Sequence, residues 1–323
     1  MPVRIGFIGT GGIAGQHFQT LSQIEDAQLV AFCDLDKTRA ESAARRFEGK
    51  AYTDYKKLLE AEDLDALYIC LPPHAHKDIE VLVAQKGCAL FVEKPIANNL
   101  KTAERAALAI EKASVINAVG YHFRYHAATA QVQELLSDKK APALIYGRWW
   151  GSFPIAPWWR RQNQSGGQVN EQATHIIDLA RYLVGDIEKV YCCAARREMH
   201  KEFRDSTIAD VTALTAEFAS GAIGHFSATC LVGGVREVGL SLVVKDAIYD
   251  LFGNALSIRR ADQTQNIMHR NNAYLDEDKA FIEAVQTGKR GGIKSTYADA
   301  LKTLRVTLAA NQSAKSGRPI RIK

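Results

Sequence analysis

The sequence lacks any uninterrupted apolar stretch approaching the roughly 18–20 residues that a helix needs to cross a bilayer. It also lacks a secretory leader ahead of the first strand-like run, so we expect a cytoplasmic protein without a membrane partner. The 41 basic and 36 acidic residues leave a formal charge of +5. Because the basic residues are scattered rather than clustered, we expect no nucleic-acid partner either.

Cysteine pairs and metal-ligand spacings are also missing. The six cysteines include no CxxC pair and no zinc-like spacing, and several lie in apolar, strand-like runs. They are therefore predicted to be reduced thiols, and Cys192 and Cys193 should point to opposite faces of a strand. His74 and His76 are close in sequence but have no evident third ligand, so we predict no metal site.

The first 120 residues alternate apolar, strand-like runs with amphipathic helices. This pattern is typical of a parallel sheet that helices cover on both faces. A chain of 323 residues also favours two domains, because single cores seldom grow much past about 250–300 residues. We predict a doubly wound α/β domain over residues 1–120, with strands at 3–8, 29–33, 66–71, 89–92 and 115–119 and helices at 37–47, 55–61, 78–86 and 100–113.

The pattern changes after about Tyr121, where strands begin to follow one another directly. Ser220-Gly221 lies between two of them and is typical of a hairpin turn. We predict a second, α+β domain over residues 121–323, built on a large and mainly antiparallel open sheet. Its strands are predicted at 144–150, 190–196, 211–218, 223–231 and 238–245, and a long closing helix at 298–314 precedes a short final strand.

A glycine-rich turn follows the first predicted strand and opens a predicted helix. Gly9-Thr10-Gly11-Gly12-Ile13-Ala14 fits the GxGxxG/A fingerprint of dinucleotide-binding sheets. Gly9 allows the tight turn, Gly11 allows a pyrophosphate to approach the backbone, and Ala14 allows close helix packing. The helix offers unpaired N–H groups and a positive dipole end to the phosphates. The predicted cofactor contacts here are Gly9, Thr10, Gly11, Gly12 and Ile13.

An acid stands where the ribose of the cofactor is expected. Asp34 ends the second predicted strand, about 20 residues beyond the fingerprint, and its carboxylate can accept hydrogen bonds from a ribose 2′-OH. The same charge would repel a 2′-phosphate, so we predict NAD as the cofactor. Lys37 and Arg39 are close in sequence and leave NADP as the less favoured alternative. An unrelated acid beside a surface turn is disfavoured, because strand, turn, helix and acid are all in register.

Glu93-Lys94-Pro95 is placed at the carboxyl end of a predicted parallel strand. Ligands bind at this edge of a doubly wound sheet. The ammonium of Lys94 can lie next to the nicotinamide and a substrate oxygen there, and Pro95 fixes the backbone after it. By itself the tripeptide is a common loop sequence, and a loop without a catalytic role is the better interpretation.

Two further segments change that interpretation. They are Ile69-Cys70-Leu71-Pro72-Pro73-His74-Ala75-His76 and Gly166-Gly167-Gln168-Val169-Asn170-Glu171-Gln172-Ala173-Thr174-His175-Ile176-Ile177-Asp178. Together with the fingerprint and Glu93-Lys94-Pro95, they resemble the Gfo/Idh/MocA family, the glucose–fructose oxidoreductase and inositol dehydrogenase group. The resemblance extends over essentially the whole chain, including Gly120-Tyr121-His122-Phe123-Arg124-Tyr125 and the final helix before Gly317.

The resemblance implies an NAD-dependent oxidoreductase of the sugar or polyol dehydrogenase type. It implies that Lys94 and His175 face the nicotinamide and that family members pair through their open sheets into homodimers or homotetramers. The family often has an aspartate four residues before the histidine, where this sequence has Glu171. On a continuous helix positions 171 and 175 share a face, so Glu171 is expected to orient the imidazole or bind a hydroxyl. The resemblance also implies that the cofactor cleft is lined by Leu71, Pro72, His76 and Glu93.

The residue types fit the chemistry independently of the resemblance. Oxidising an alcohol needs a base for the hydroxyl proton and a cation for the developing alkoxide, while the cofactor takes the hydride. His175 is suited to be the base, because its ordinary pKa lies near 6.5. Lys94 is suited to polarise the oxygen. The structural alternative is that His175 is a helix-start histidine bonded to a neighbour such as Asp178.

All four tryptophans fall in one short neighbourhood, at Trp149-Trp150 and Trp158-Trp159, followed by Arg160-Arg161. Aromatic faces stack on sugar C–H surfaces, and arginines bind hydroxyls or carboxylates. These residues are therefore compatible with a sugar-acid substrate, and equally with a purely hydrophobic contact between domains or subunits. The predicted substrate-binding residues are Tyr121, Arg124, Trp158, Asn170, Glu171 and His175.

Two other functions remain compatible with these residues. One is a glycosidase that uses tightly held NAD for transient oxidation in a redox-neutral reaction. The other is a non-catalytic, NAD-binding metabolite sensor, for which Lys94 and His175 would be dispensable. The sequence favours the dehydrogenase, because it retains both residues in register.

Overall fold

The computed structural model describes residues 1–137 and 141–322, and the first described part contains a parallel sheet of six strands. These are β1 (Val3–Ile8), β2 (Ala27–Cys33), β3 (Lys50–Tyr52), β4 (Ala66–Ile69), β5 (Ala89–Val92) and β6 (Asn117–Val119). They lie in the order β3-β2-β1-β4-β5-β6, which is the order of dinucleotide-binding doubly wound sheets. Every residue of β4 and β5 is buried, which explains why both strands are continuous apolar runs.

Helices cover both faces of this sheet. They are α1 (Gly12–Leu21), α2 (Lys37–Phe47), α3 (Tyr55–Ala61), α4 (Ile79–Gln85) and α5 (Leu100–Ala113). Polar side chains cap several of their first turns. The carboxylate of Asp36 accepts from the N–H groups of Thr38 and Arg39, and Asn99 caps α5 in the same way. The predicted α/β domain is therefore confirmed, with β3 as an additional short strand.

The second sheet has nine strands among the described residues. They are β7 (Leu144–Trp150), β8 (Ile187–Ala195), β9 (Val211–Phe218), β10 (Ile223–Thr229), β11 (Glu237–Val244), β12 (Ala247–Phe252), β13 (Ala255–Arg259), β14 (Thr264–Met268) and β15 (Ile320–Arg321). Their order is β14-β13-β12-β11-β7-β10-β9-β8-β15, and the pairing is antiparallel except between β7 and β10. The predicted large, mainly antiparallel sheet and the hairpin turn at Gly221 are confirmed.

One face of this sheet is packed and the other is open. Along β9, buried Leu214, Ala216 and Phe218 alternate with exposed residues, because successive side chains point to opposite faces. The same alternation buries Cys192 and exposes Cys193, as predicted from the sequence. The buried face packs against helices of the second half of the chain.

The helices of the second half are α6 (Ala127–Ser137), α7 (Gln162–Ser165), α8 (Gly167–Glu171), α9 (Thr174–Val184), α10 (Met199–Glu202), α11 (Ala273–Thr287) and α12 (Tyr297–Ser316). A single 3₁₀ turn, His122–Tyr125, follows β6. The last two long helices also pack on the first sheet: Phe281 of α11 joins the core around Phe7, and Tyr297 and Leu304 of α12 join the core beneath β4 and β5. The domain boundary at residue 120 stays a prediction.

Several elements were not predicted from the sequence. They include strands β12 to β14 and helices α6 and α11, while the closing helix α12 is slightly longer than expected. Within the described ranges, no helix is both long and apolar enough to cross a membrane. In those same ranges, no group of three or more histidine, cysteine or carboxylate side chains is placed to hold a metal ion.

Candidate active site at the carboxyl ends of the parallel strands

The glycine turn after β1 has the geometry that a dinucleotide needs. Gly9 has a φ of +89°, and a side chain there would collide with the carbonyl of Cys70. By contrast, a Cβ added at Gly11 or Gly12 would meet no atom within 4 Å. No side chain caps α1, so its first N–H groups are free to bind phosphate oxygens. Ile13 is half-buried against the core behind the turn.

Asp34 lies beside this turn at the end of β2. Its Oδ2 atom accepts from Thr10 N at 2.9 Å and from Thr10 Oγ1 at 3.1 Å, and its Oδ1 atom accepts from Asp36 N at 2.9 Å. The carboxylate therefore supports the glycine turn while remaining partly exposed. A glycine cradle, an uncapped helix start and an adjacent acid together fit the pyrophosphate and ribose of a dinucleotide.

Lys94 connects the two halves of the molecule. It follows β5, and its Nζ atom donates to the backbone carbonyl and to Oε1 of Glu171, both at 3.2 Å. Glu171 reaches this position because Gly166 and Gly167 turn the chain with φ of +78° and +79° just before it. The structure thus brings together Lys94 and Glu171, which are 77 residues apart in sequence.

The carboxyl group of Glu171 is buried and only partly bonded. Its Oε2 atom has no hydrogen-bond partner among the residues that the structure describes. Burial raises the pKa of Glu171 to about 7, although the positive charge of Lys94 acts in the opposite direction. This carboxyl group can therefore change its protonation state near neutral pH.

His175 lies in the first turn of α9, against aromatic rings. Its imidazole stacks on Trp149, with centroids 5.5 Å apart, and on Phe123, with centroids 5.1 Å apart. It is 5% exposed, and within the described chain its Nδ1 atom has no partner. Burial, together with the positive charge of Lys94, lowers the pKa of His175 well below its ordinary value. The imidazole is therefore neutral at physiological pH and able to accept a proton.

Two relationships of His175 that the sequence suggested, a bond to Asp178 as the alternative to a catalytic role and a helix shared with Glu171, are not seen in the part of the chain that the structure describes. The carboxylate of Asp178 does not satisfy its ring, because Asp178 is bonded to Arg124 instead. Positions 171 and 175 also do not share one helix, since α8 ends at Glu171 and α9 begins at Thr174. Glu171 therefore engages Lys94 rather than orienting the imidazole.

Arg124, a predicted substrate ligand, is buried and bonded within the protein. It is 2% exposed, and it donates to Asp178 from Nε at 2.8 Å and from Nη2 at 2.6 Å. Its Nη1 atom donates to the carbonyl of Lys294, and Asp299 of α12 completes the ion pair. All three guanidinium nitrogens are thus bonded within the protein, and the guanidinium joins α9 to α12.

Tyr121 and Asn170 are also buried and bonded within the chain. The hydroxyl of Tyr121 bonds to Thr174 Oγ1 at 2.9 Å. Asn170 donates from Nδ2 to the carbonyls of Ser165 and Ala97, and its Oδ1 atom accepts from Thr307. Both residues therefore hold the segment that carries Glu171 and His175, and their binding of substrate stays a prediction.

The loop after β4 carries the remaining predicted cofactor contacts. Leu71 and Pro72 are half-buried at the strand end, where a nicotinamide-binding edge is expected. His76 is fully buried, and its two ring nitrogens contact Glu80 and the carbonyl of Leu71. Both ring nitrogens are thus bonded within the loop, and contact of His76 with the cofactor stays a prediction.

Trp149 and Trp158 belong to two different aromatic contacts. Trp149 is the one that stacks on His175, whereas Trp158 stacks on Trp159 with centroids 6.0 Å apart and lies 6.4 Å from the ring of His74. The Nε1 atom of Trp159 and the Nδ1 atom of His74 are buried without a partner in the described part of the chain. These atoms give the Trp158 side of the site hydrogen-bonding capacity.

Sequence reasoning missed a buried cluster behind Glu93. Glu93 contacts His17 of α1, which in turn contacts Asp278 of α11, and all three side chains are buried. Tyr274, from the same end of α11, stacks on His122 with centroids 4.0 Å apart. The local signal for this cluster is a histidine among the apolar residues of the first predicted helix. Its partner Asp278 is 261 residues away in sequence.

Two family models match successive parts of the chain. The family model for the oxidoreductase family with an NAD-binding Rossmann fold, GFO_IDH_MocA, matches residues 3–121, and the model for the GFO/IDH/MocA C-terminal domain matches residues 130–249. The chain is 24% identical to myo-inositol 2-dehydrogenase of Thermotoga maritima, covering 99% of both chains. It is 27% identical to scyllo-inositol 2-dehydrogenase (NAD(+)) of Bacillus subtilis, covering 99% of this chain and 96% of that protein.

The fold agrees over its full length with a solved structure of levoglucosan dehydrogenase in complex with NADH and levoglucosan. The TM-score is 0.88 at 18% sequence identity, and the match covers 100% of both chains. Together, the two matched models cover the parallel sheet and much of the second sheet. The chain therefore belongs to the GFO/IDH/MocA oxidoreductase family, whose N-terminal part is an NAD-binding Rossmann fold.

Proposed function

We propose that the protein is an NAD-dependent dehydrogenase that oxidises a hydroxyl carbon of a sugar, polyol or sugar acid. The observation that carries this proposal is the pair of buried, unpartnered acceptors beside Lys94, namely His175 Nδ1 and Glu171 Oε2. Buried polar atoms normally have partners, so two of them in one cluster favour a hydroxyl-bearing ligand. The full-length similarity to inositol dehydrogenases supports the same substrate class.

Residues of this chain would handle the proton. The neutral imidazole of His175 would accept the proton of the substrate hydroxyl, and the ammonium of Lys94 would stabilise the developing negative charge on that oxygen. Bound NAD would supply the acceptor for the hydride. Glu171 would hold the ammonium of Lys94 in place and could take up a proton itself, given a pKa of about 7.

We propose NAD rather than NADP as the physiological cofactor. The partly exposed carboxylate of Asp34 beside the glycine turn supports this choice, because it would accept from a ribose 2′-OH and repel a 2′-phosphate. Gly11 and Gly12 leave room for the pyrophosphate in front of the uncapped start of α1. No described contact favours the redox-neutral glycosidase or the sensor, and we do not propose them.

We also propose a homodimer or homotetramer that pairs through the open face of the nine-stranded sheet. Large apolar side chains are exposed there, including Leu144, Tyr191, Ile223 and Phe252. Light scattering coupled to size-exclusion chromatography tests this assignment. A Tyr191→Glu variant is expected to shift the mass towards that of a monomer. A parent protein that already has the mass of a monomer would contradict the proposed oligomer.

The decisive experiment is an absorbance screen with NAD and, separately, NADP. Inositols, aldoses, sugar alcohols, sugar acids and sugar phosphates are offered to the purified protein, with Lys94→Ala as the matched control. Reduction of NAD by one class of compound, lost in the variant, supports the dehydrogenase. Clear NAD binding without any reduction across the panel contradicts it.

A further inference from the structure

Arg236 is a second cation near His175, and it lies in the turn between β10 and β11. Its guanidinium carbon is 5.4 Å from the ring centroid of Trp149. The same Trp149 ring stacks on the imidazole of His175 with an angle of 13° between the planes. Arg236 and the proposed base therefore contact the same aromatic ring.

Arg236 differs from the other cations of the site in its partners. Lys94 is bonded to Glu171, and Arg124 is bonded to Asp178. For Arg236 the structure gives only the ring of Trp149, with no carboxylate among residues 1–137 and 141–322. Its guanidinium is exposed, so its donors remain available to a ligand.

The positive charge of Arg236 acts on the catalytic cluster. After burial and Lys94, it is among the causes that lower the pKa of His175, and it also lowers the pKa of His122. Both effects on pKa agree with the contacts that Arg236 and His175 make with the same ring of Trp149. Acids around it have other partners: Glu237, the next residue in sequence, pairs with Arg148, and Glu171 pairs with Lys94.

A guanidinium over a tryptophan ring is well placed to bind an anion. The ring holds the planar group in a defined orientation, and the planar group presents paired N–H donors that match a carboxylate or phosphate. The turn that carries Arg236 contains Gly233 and Gly234, the latter with a φ of +77°, a conformation that glycine adopts without strain.

Resting on the proposed dehydrogenase function, we propose that Arg236 binds an anionic group of the substrate, which is therefore a hydroxylated compound carrying a carboxylate or phosphate. The hydroxyl carbon of the substrate lies at His175 and Lys94, and its anionic group lies at the guanidinium of Arg236. Arg236 acts as a specificity-determining residue and takes the role that sequence reasoning assigned to Arg124. Neutral sugars and polyols of the same skeleton are poorer substrates.

The test uses matched compounds that differ only in the charged group. A neutral hexose, the corresponding hexuronate and the corresponding hexose phosphate, and likewise a sugar alcohol and its sugar acid, are compared by kcat/KM with NAD. We expect one anionic class to exceed its neutral counterpart by about 10- to 100-fold. The carboxylate and phosphate arms show which anion is the physiological group.

Variants then assign the preference to Arg236. Arg236→Gln is expected to lower the ratio of anionic to neutral kcat/KM about 10- to 100-fold, since any effect through the pKa of His175 acts on both substrates alike. Arg236→Lys should retain part of the preference, because it keeps the charge but not the paired donors. The matched control is Arg45→Gln, an exposed arginine in the last turn of α2. Equal kcat/KM for neutral and anionic substrates, or equal losses for both in Arg236→Gln, would overturn the proposal.

A binding measurement separates this proposal from the dehydrogenase function. The same hexuronate, hexose phosphate and hexose are titrated into the NAD-loaded protein while tryptophan fluorescence is followed. If no compound reduces NAD, the dehydrogenase proposal fails, but selective binding of an anion that is weakened in Arg236→Gln still supports the anion site. Binding that is absent, or identical in parent and variant, overturns the anion site.

Discussion

The Nε2 atom of His17 lies 3.2 Å from Oε1 of Glu93, the residue directly before Lys94. On the other side of the ring, Nδ1 lies 2.9 Å from Oδ1 of Asp278. Glu93 also accepts from the backbone N–H of Lys94 through its other oxygen, at 3.0 Å. His17 therefore fixes Glu93, and Glu93 fixes the backbone from which the Lys94 ammonium extends.

Stability should depend on the protonation of His17. Burial alone would lower its pKa, but Asp278 and Glu93 raise it to about 10. Because this folded-state pKa exceeds the ordinary value of 6.5, the contribution is fully present below pH 6.5 and is lost as pH rises towards 10. The free energy of unfolding, relative to a His17→Gln variant, should fall by about 1.4 kcal/mol per pH unit within that window.

Urea unfolding of the parent and His17→Gln between pH 6 and pH 10 measures this difference. A stability difference that stays constant across the window would show that His17 is not protonated in the folded state. Activity gives a second readout, since displacement of Glu93 should lower kcat with little change in the Kd for NAD. Within residues 1–137 and 141–322, no side-chain hydrogen bond joins His17 to the fingerprint glycines or to Asp34, which would hold NAD.

The acid limb of the pH–rate profile should come from Glu171. With a pKa of about 7, its carboxyl group is charged and paired with Lys94 above neutrality and is neutral below it. We expect kcat/KM for substrate oxidation to rise with pH through about 7. The imidazole of His175 stays neutral over this range, because its pKa lies well below the ordinary value.

Two variants distinguish these groups in a pH series of initial rates. Glu171→Gln should abolish the limb near pH 7, and His175→Asn should lower kcat by at least about 100-fold while retaining the limb. A limb that persists unchanged in Glu171→Gln would assign it to another group. Glu171→Asp is a useful third variant, because its shorter side chain keeps the charge but withdraws it from Lys94.

The features that sequence could predict are those written in local patterns. Gly9, Gly11 and Asp34 are recognisable because a strand, a tight turn and a helix impose their spacing. Strands β4 and β5 of the first sheet are buried on both faces and are therefore continuous apolar runs. Lys94 and His175 required the family resemblance, since neither tripeptide nor helix start is informative by itself.

The features that escaped sequence reasoning depend on contacts between distant segments. His17 and Asp278 are 261 residues apart, and no local pattern connects them. Arg124 looks like an exposed ligand at a strand end, and only the tertiary structure shows that Asp178 and Asp299 bind it. Arg236 is preceded by a Gly-Gly turn between two strands, which is a usable signal only once Trp149 and His175 are known to be adjacent.

Cofactor preference should depend on Asp34. Removing its charge in Asp34→Ser should raise KM for NAD about 10-fold and narrow the difference between NAD and NADP, because the 2′-OH loses an acceptor and the 2′-phosphate loses a repelling charge. Thr10→Val is the matched control, since it removes one hydrogen bond to Asp34 but keeps the carboxylate. Steady-state kinetics with both cofactors measure the effect. An unchanged NAD to NADP ratio in Asp34→Ser would contradict the assignment.

Arg124 should contribute to stability and not to substrate binding. Replacing it in Arg124→Met leaves the buried carboxylate of Asp178 without its cation, so we expect a loss of about 3–5 kcal/mol in the free energy of unfolding. Adding Asp178→Asn to this variant should recover part of the loss, because the uncompensated charge is then gone. Arg45→Met, on the surface of α2, should change the same quantity by less than about 0.5 kcal/mol.

Urea unfolding gives the stabilities, and KM for the best substrate gives the binding effect of the same variants. If Arg124 contacted the substrate, Arg124→Met would raise KM while the double variant recovered nothing, because Asp178→Asn cannot replace a lost ligand. If it joins α9 to α12, stability falls and returns in step with the charge on Asp178, and KM at a temperature where both variants are folded stays near the parent value. The two outcomes differ in which quantity changes and in whether the double variant recovers it, so one pair of measurements decides between a structural and a binding role.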